Sequence, residues 1–429
     1  MTTRTRIAPS PTGFAHVGTA YAALFNFAFA RHEDGQFILR LEDTDVKRYV
    51  PGAEEALYEG LSWLGLSWDE GPDKRGPHAP YRQSERLKLY QEKAQKLTKS
   101  GLAYEQEGAV FFKCQRRDVG WDDLVRGEIT FPQDSEQLKD FVILKSDGYP
   151  TYNFAVVVDD IAMEISHVIR AEEHISNTPR QLLLYEAFER NPPQFAHIPA
   201  LRNPQRAKLS KRRDPVDLRF YRDEGYLPEA LVNFLCLLGW SHPEEKEIFS
   251  LDEFVKVFDL SRVRKAGPVF DMQKLLWING EYIRQLKVDE LSSKLEAQSL
   301  KLRDIDDTYL NAIIPLVQER IKTLKEFDEL AGFFFEEPVL DKGLFGNEAI
   351  MYLDAALKVI RESEWQLENL QKSMLVAIKD NNFKTGDFFM SVRVALTGSR
   401  ITPPIVESII ILGKEKTQKR IQAALELLK

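Results

Sequence analysis

Two stretches far apart in the chain carry the residue types that a polyphosphate needs. The first is Ile7-Ala8-Pro9-Ser10-Pro11-Thr12-Gly13-Phe14-Ala15-His16-Val17-Gly18-Thr19. Prolines and small residues after a strand make a stiff loop. The helix that follows offers unpaired N–H groups and the positive end of its dipole to an anion. Thr12 and His16 supply hydrogen-bond donors, and Gly18 removes a side chain where a nucleotide must pass. A lone His-x-Gly would be an ordinary strand–helix turn, and it is the flanking Pro-Ser-Pro-Thr-Gly that favours the phosphate reading. The second stretch is Lys208-Leu209-Ser210-Lys211-Arg212, with Arg206 and Arg213 beside it. A charge run by itself is more often a solvated face. This one follows an α/β pattern, so the loop can reach back across a sheet edge and stabilise charge building on an α-phosphate. Together the stretches point to ATP-driven adenylation, with His16, Lys208 and Lys211 as the catalytic candidates.

The elements that must position these groups follow from the residue pattern. Thr5-Arg6-Ile7 reads as a short strand, Thr19 to Glu33 as a helix stopped by Gly35, and Gln36 to Leu41 as a second strand. That first helix is apolar nearly all round and therefore buried. Pro51 opens the next helix and Gly65 closes it, the usual asymmetry of helix ends. Phe154 to Val158 reads as a buried strand and Ser166 to Arg170 as another. Thr178-Pro179 reads as the N-cap and first turn of a helix ending near Phe188. The alternation of strands and helices argues for a parallel α/β sheet. Between residues 81 and 152 the pattern changes to a helix (Ser84 to Lys99) and short strands, as in an insertion. After Pro215 the chain turns mostly helical. Thr402-Pro403-Pro404 caps a late helix, and the tail from Gln418 to Lys429 is amphipathic.

Composition bounds the answer. The chain has 429 residues, 43% hydrophobic and 29% charged, as in a soluble globular protein of several domains. Its formal net charge is −8, so an RNA partner would need local basic surface on an acidic body. Cys114 and Cys236 are the only cysteines, with no Cys-x-x-Cys spacing. A disulfide framework and a thiolate zinc site are therefore not expected, and a reducing compartment fits. Arg4, Arg6, the run Ala20 to Ala30 and the ending Ala28-Phe29-Ala30 imitate a secretory signal. Pro9, Pro11, Gly13, His16, Gly18 and Asn26 interrupt it, and Arg31 follows at once, which argues against that reading. No run is long enough to span a membrane. A cytoplasmic protein is expected.

On these residues the chain resembles the class I aminoacyl-tRNA synthetases. Pro9 to Thr19 is similar to their first signature, normally His-Ile-Gly-His, and Lys208 to Arg212 to their second, normally Lys-Met-Ser-Lys-Ser. Three segments narrow the resemblance to glutamyl-tRNA synthetases of bacterial type. They are Leu39-Arg40-Leu41-Glu42-Asp43-Thr44-Asp45, Lys145-Ser146-Asp147-Gly148-Tyr149-Pro150-Thr151-Tyr152 and Val168-Ile169-Arg170-Ala171-Glu172-Glu173-His174. Gly239-Trp240, Phe270-Asp271 and Arg393-Val394-Ala395-Leu396-Thr397-Gly398 extend it over essentially the whole chain.

The resemblance implies an α/β fold: a Rossmann-like parallel-sheet catalytic domain (1–80 and 153–187) with an inserted α+β acceptor-end-binding domain (81–152). A mainly helical stem-contact region (188–287) would carry the basic loop, followed by all-α anticodon-binding domains (288–343 and 344–429). It implies ATP with Mg²⁺, the ATP bound by Thr12, His16, Gly18, Thr19, Leu209, Ser210 and Lys211. It implies L-glutamate bound by Arg6, Ser10, Glu42, Tyr152 and Arg170. The chemistry agrees, since two carboxylates ask for two guanidinium forks and an ammonium for an anion. Which arginine takes the side-chain carboxylate stays open. Glu173 and His174 fall where relatives line the ATP and acceptor-end site, and a capping or packing role fits them equally.

The chain departs from the family pattern at three places. Thr19 replaces a second histidine, and Val156 stands where some relatives have an asparagine near the substrate. The segment from Phe112 to Asp122 is short and lacks a zinc-binding cysteine cluster, so no structural zinc is expected and Cys114 reads as an incidental thiol. The implied reaction proceeds through glutamyl-adenylate to the 3′ end of tRNA(Glu), releasing AMP and pyrophosphate. Helical periodicity from residue 288 onward sets the chain apart from glutaminyl relatives, which end in β-barrels, and implies anticodon reading. Arg262, Arg264, Lys265, Lys322, Lys325, Lys416 and Lys419 are candidate RNA-facing cations, each alone more simply solvated surface. One alternative is an enzyme that also charges tRNA(Gln). Another is a catalytically degenerate RNA-binding relative. The resemblance suggests a monomer.

Overall fold

The computed structural model describes residues 2–74, 76–209 and 214–429. The chain divides into two compact units, one formed by Met1–Arg222 and Pro228–Leu275, the other by Asp223–Leu227 and Leu276–Lys429.

In the first unit β1 (Arg4–Ile7) leads into α1 (Val17–His32), and β2 (Gln36–Leu39) returns parallel to β1 with Arg6 opposite Ile38. Every residue of β1 is buried, as expected of a parallel strand covered on both faces. The return after α1 needs Gly35, because a Cβ there would lie 2.2 Å from the Thr3 carbonyl oxygen. After α2 (Ala53–Trp63) come α3 (Leu87–Lys99) and the short strands β3 (Ala103–Gln106) and β4 (Ala109–Phe112). The hairpin β5 (Val119–Asp123) and β6 (Gly127–Phe131) follows, then β7 (Phe141–Leu144), which completes an antiparallel sheet in the order β3-β4-β7. The chain then returns through α4 (Tyr152–Ala162), β8 (His167–Ala171), α5 (Thr178–Ala187) and β9 (Gln194–Ile198). Strands β8 and β9 are parallel. Ser166 sets β8 beside β1, its N–H donating to the Arg4 carbonyl at 3.0 Å while its Oγ accepts from the Arg4 N–H at 2.8 Å. The spatial order is therefore β2-β1-β8-β9. Helices α6 (Leu218–Asp223), α7 (Pro228–Gly239) and α8 (Leu251–Val257) follow, and the unit boundary falls inside α9 (Met272–Gln285).

Three local expectations are corrected. The run Phe154 to Val158 is helical, not a strand, within α4. Asn153 through Asp160 are all buried. A helix packed on every side carries no polar stripe, and a short continuous apolar run does not distinguish the two structures. The N-cap of α5 is Asn177, not Thr178, and makes no side-chain cap bond. The helix expected from Ser84 begins as a 3₁₀ turn, Gln83–Arg86, before α3.

The two acids at the end of α4 organise the strand ends. Asp160 accepts from Arg40 Nη1 at 2.6 Å and from Arg6 Nε at 3.3 Å. Asp159 accepts from Arg86 Nε at 2.7 Å, Gln83 Nε2 at 2.8 Å and the Tyr90 hydroxyl at 2.9 Å. Burial opposes charge on Asp160, yet the Arg6 and Arg40 guanidiniums hold its carboxyl below the ordinary carboxylate range. Removing one partner of such a network strands buried charge, which typically costs about 3–5 kcal/mol. Asp160→Asn should therefore lower the urea midpoint by an amount worth about 3 kcal/mol. An unchanged midpoint would show that the network carries no stability.

In the second unit the helices are α10 (Val288–Gln298), α11 (Asp307–Val317), α12 (Glu326–Ala331), α13 (Ala349–Glu362), α14 (Leu367–Asp380), α15 (Thr385–Thr397), α16 (Ile405–Leu412) and α17 (Lys414–Leu428). No strand occurs among its described residues. Leu353, Ile360, Met374, Phe388, Val392 and Ile421 meet in one buried core. Arg420 is buried beside it and donates to the carbonyls of Phe333 at 2.8 Å and Leu396 at 2.9 Å. These oxygens sit near helix ends that lack intrahelical donors, where a cation is favoured.

Candidate active site

A cavity of about 690 Å³ opens in the first unit where β1, β8 and β9 end. Crevices beyond the carboxyl ends of parallel strands are where α/β sheets bind ligands. Its lining includes Arg6, Ser10, His16, Gly18, Thr19, Glu42, Tyr152, Arg170, Glu173, His174, Lys208 and Leu209. The sequence reading singled out all of these. Thr12 is not in the lining, and its N–H closes a turn on the Ser10 carbonyl at 2.8 Å. Ser210 and Lys211, named as ATP-binding and catalytic candidates, lie outside the described residues, as do Arg212 and Arg213.

His16 is the N-cap of α1. Its Nδ1 accepts from the Gly18 N–H at 2.9 Å, so the neutral ring carries its proton on Nε2. The imidazole thus satisfies one of the helix-end amides that the sequence reading had offered to phosphate. Gly18 has a second role here, since a Cβ at that position would lie 3.1 Å from His16 Nδ1.

Arg6 and Arg170 are both buried and come from neighbouring strands β1 and β8. Arg6 Nε and Nη2 engage the two oxygens of Asp160 at 3.3 and 3.5 Å. Arg170 donates from Nε to His197 Nε2 at 3.0 Å and from Nη2 to Thr178 Oγ1 at 2.8 Å. Its Nη1 is buried without a hydrogen-bond partner. Glu42 follows β2 and accepts from Arg40 Nη2 at 3.3 Å. Burial pushes its carboxyl up to about 7 against the pull of Arg40 and Arg6. The Tyr152 hydroxyl and His174 Nδ1 are 3.2 Å apart. Burial, then Arg170, lowers the His174 pKa to about 4, so that ring is neutral at physiological pH. Lys208 and Glu173 form an ion pair at the cavity.

Sequence reasoning missed the groups behind the lining. Arg40, Asp160, Thr178, His197 and Asp123 hold the lining arginines and Glu42 in place; Arg40 falls in a segment that carries the resemblance and Thr178 in an expected helix cap, but none of the five was assigned this role. The available signals were an arginine between Leu39 and Leu41 in a strand pattern and two adjacent acids ending an apolar run. Cys114 donates its thiol to the Lys139 carbonyl at 3.2 Å, and burial raises its pKa to about 11, which keeps the thiol protonated and poorly reactive. Several candidate RNA-facing cations already have partners. Lys325 pairs with Glu224 at 2.7 Å and Lys419 with Glu337 at 3.1 Å, while Arg262 donates to the Ser241 carbonyl at 2.9 Å.

A family profile described as tRNA synthetases class I (E and Q), catalytic domain, matches residues 2–110 and 105–277. A second, described as anticodon binding domain, matches residues 286–425. The glutamate–tRNA ligase of Acidothermus cellulolyticus is 43% identical, over 99% of this chain and 95% of that protein. The glutamate–tRNA ligase of Thermus thermophilus is 42% identical, over 98% of this chain and 99% of that protein. A crystal structure of a glutamate tRNA ligase from Elizabethkingia meningosepticum, in complex with its amino acid, superposes with a TM-score of 0.88 at 32% identity, covering 100% of both chains. The chain belongs to the glutamate–tRNA ligase family of class I tRNA synthetases. Members of this class use ATP, typically with Mg²⁺.

Proposed function

We propose that the chain ligates L-glutamate to the 3′ end of tRNA(Glu) through a glutamyl-adenylate, consuming Mg·ATP. The convergence of two buried guanidiniums, Arg6 and Arg170, with the buried carboxyl of Glu42 on one cavity carries this reading. That set complements an amino acid with two carboxylates and one ammonium. Glu42 takes the ammonium, the arginines take the carboxylates, and the hydroxyls of Ser10 and Tyr152 complete the hydrogen bonding. A carboxyl balanced near neutrality ionises when an ammonium arrives, because opposite charge favours its charged form.

The triphosphate runs between the start of α1 and the basic loop, along His16, Gly18, Thr19, Lys208 and Leu209, with Ser210 and Lys211 assigned by their sequence pattern. Glu173 and His174 line the same space and face the incoming acceptor end. The α-carboxylate oxygen attacks the α-phosphorus as the α–β bridging bond breaks, and pyrophosphate leaves. No general base is needed, because the nucleophile is already ionised. His16 donates from Nε2 to the phosphate oxygens, and the lysines stabilise the charge that grows there. A terminal ribose hydroxyl of the tRNA then attacks the acyl carbon, and AMP leaves. Holding the reactants in line supplies much of the rate. The helical second unit reads the anticodon. The enzyme works in the cytoplasm as a monomer without structural zinc.

The test is aminoacylation with purified tRNA(Glu) and tRNA(Gln), each offered glutamate and glutamine. Glutamate on tRNA(Glu), with AMP and pyrophosphate released, is the expected result, and glutamate on tRNA(Gln) as well would widen the acceptor range. Glutamine charging, or no charging of either tRNA, would overturn the proposal.

A further inference from the structure

We infer that the inserted β5–β6 hairpin orients Arg170 through a histidine whose tautomer it fixes, making Asp123 and His197 positioning residues for the amino-acid pocket. The inference rests on the proposed reading of Arg170 as a carboxylate-binding group.

Asp123 ends β5 and is buried. Its Oδ1 accepts three backbone N–H groups, from Arg126 at 3.0 Å and from Val125 and His197 at 3.1 Å. Its Oδ2 meets His197 Nδ1 at 2.5 Å. Burial opposes charge on Asp123, but the imidazole and the backbone donors hold its carboxyl down at about 2. An ionised carboxylate only accepts, so His197 Nδ1 carries the ring proton and Nε2 keeps a lone pair. His197 sits directly opposite Arg170 in the β8–β9 register. There Nε2 accepts from Arg170 Nε at 3.0 Å.

A guanidinium can only donate. The other tautomer would set one N–H against another inside a fully buried pair, where an unmet donor is costly. With Nε held by His197 and Nη2 by Thr178, the Arg170 nitrogen left over is Nη1, which is buried and unpartnered in a side chain that lines the cavity. The same hairpin turn sends Arg126 to Glu172 at 2.7 Å, at the start of the turn (Glu172–Asn177) that carries Glu173 and His174. The insertion thus backs the pocket from two sides.

Asp123→Asn is the discriminating variant. The three backbone donors retain the amide oxygen on their side, so the amide nitrogen faces the imidazole. The ring proton then moves to Nε2 and confronts Arg170. In aminoacylation kinetics the KM for glutamate should rise about 10-fold or more, with the KM for ATP changing less than about 2-fold. Nitrogen-15 NMR of histidine-labelled protein should show His197 change from the Nδ1–H to the Nε2–H tautomer. His197→Gln, which keeps an amide oxygen as acceptor, should stay within about 3-fold of the parent, whereas His197→Leu should match Asp123→Asn. That second pair carries the test if Asp123→Asn does not fold.

Unchanged glutamate KM in Asp123→Asn and His197→Leu, with glutamate use lost in Arg170→Ala, overturns the positioning inference alone. Equal rises in both KM values with a lowered melting temperature also overturn it, because they mark a structural role. Unaltered kinetics in Arg170→Ala overturn the pocket reading itself.

Discussion

Arg170→Ala is expected to lower kcat/KM for glutamate in aminoacylation by about 10² to 10³-fold, the loss usual when one partner of a desolvated charge pair is removed. The guanidinium lies among β8, β9 and α5, tied to His197 and Thr178, so its removal leaves a ligand carboxylate buried without a counter-charge. Arg170→Lys should rescue little. An ammonium also has three donors, but they radiate from one atom, so it cannot reproduce the planar fork whose separate nitrogens reach His197, Thr178 and the ligand. Steady-state kinetics with glutamate varied, alongside melting curves to confirm folding, decide the matter. Kinetics equal to the parent's would remove Arg170 from the pocket.

The second large effect is a pH dependence centred on Glu42. Burial lifts its carboxyl to about 7 against the pull of Arg40 and Arg6. Ammonium binding needs the ionised form, so affinity is full above that value and is lost as pH falls through it. Each pH unit below 7 should raise the KM for glutamate by up to about 10-fold, the limit for one linked proton. Of the other groups acting on this carboxyl, Arg40 is kept charged against burial by Asp160, Asp159 and Glu42, while burial raises Asp159, so the variant at Glu42 is what separates the two carboxyls. Glu42→Gln should flatten the profile between pH 5.5 and 8, and at pH 8 should raise the KM about 10- to 100-fold, as for loss of a charge-assisted bond. A profile equally steep in the variant would assign the titration to another group.

Much of this site was legible because its lining residues sit at element ends that punctuate the chain. Gly35, Pro51 and Gly65 bracketed the helices around β1 and β2, and the apolar character of α1 foretold its burial. The strand reading of Phe154 to Val158 failed for a definite reason. Three consecutive valines favour a strand locally, but packing on every side overrides that preference when the segment ends in two acids that must meet Arg6, Arg40 and Arg86. Arg40 and Arg86 were assigned no role, since nothing in a single sequence says which cation a buried acid will find, and Arg6 was named for the ligand rather than for Asp160. The Asp123–His197–Arg170 chain was illegible for a related reason. Its members lie on β5, β8 and β9: the register of β8 against β9 pairs Arg170 with His197, and the β5–β6 hairpin brings Asp123 to that histidine, with the Leu124 N–H donating to the Phe195 carbonyl at 2.9 Å.

The contact between Lys208 and Glu173 has a thermodynamic consequence of its own. This lysine has a neutralising carboxylate in Glu173, and both side chains are about half open to water or more. Such a pair is worth no more than about 1 kcal/mol. A triphosphate that captures Lys208 therefore exchanges one anion for another instead of satisfying a bare charge. Its electrostatic gain is the difference between two partners, and the displaced glutamate is returned to solvent at little cost.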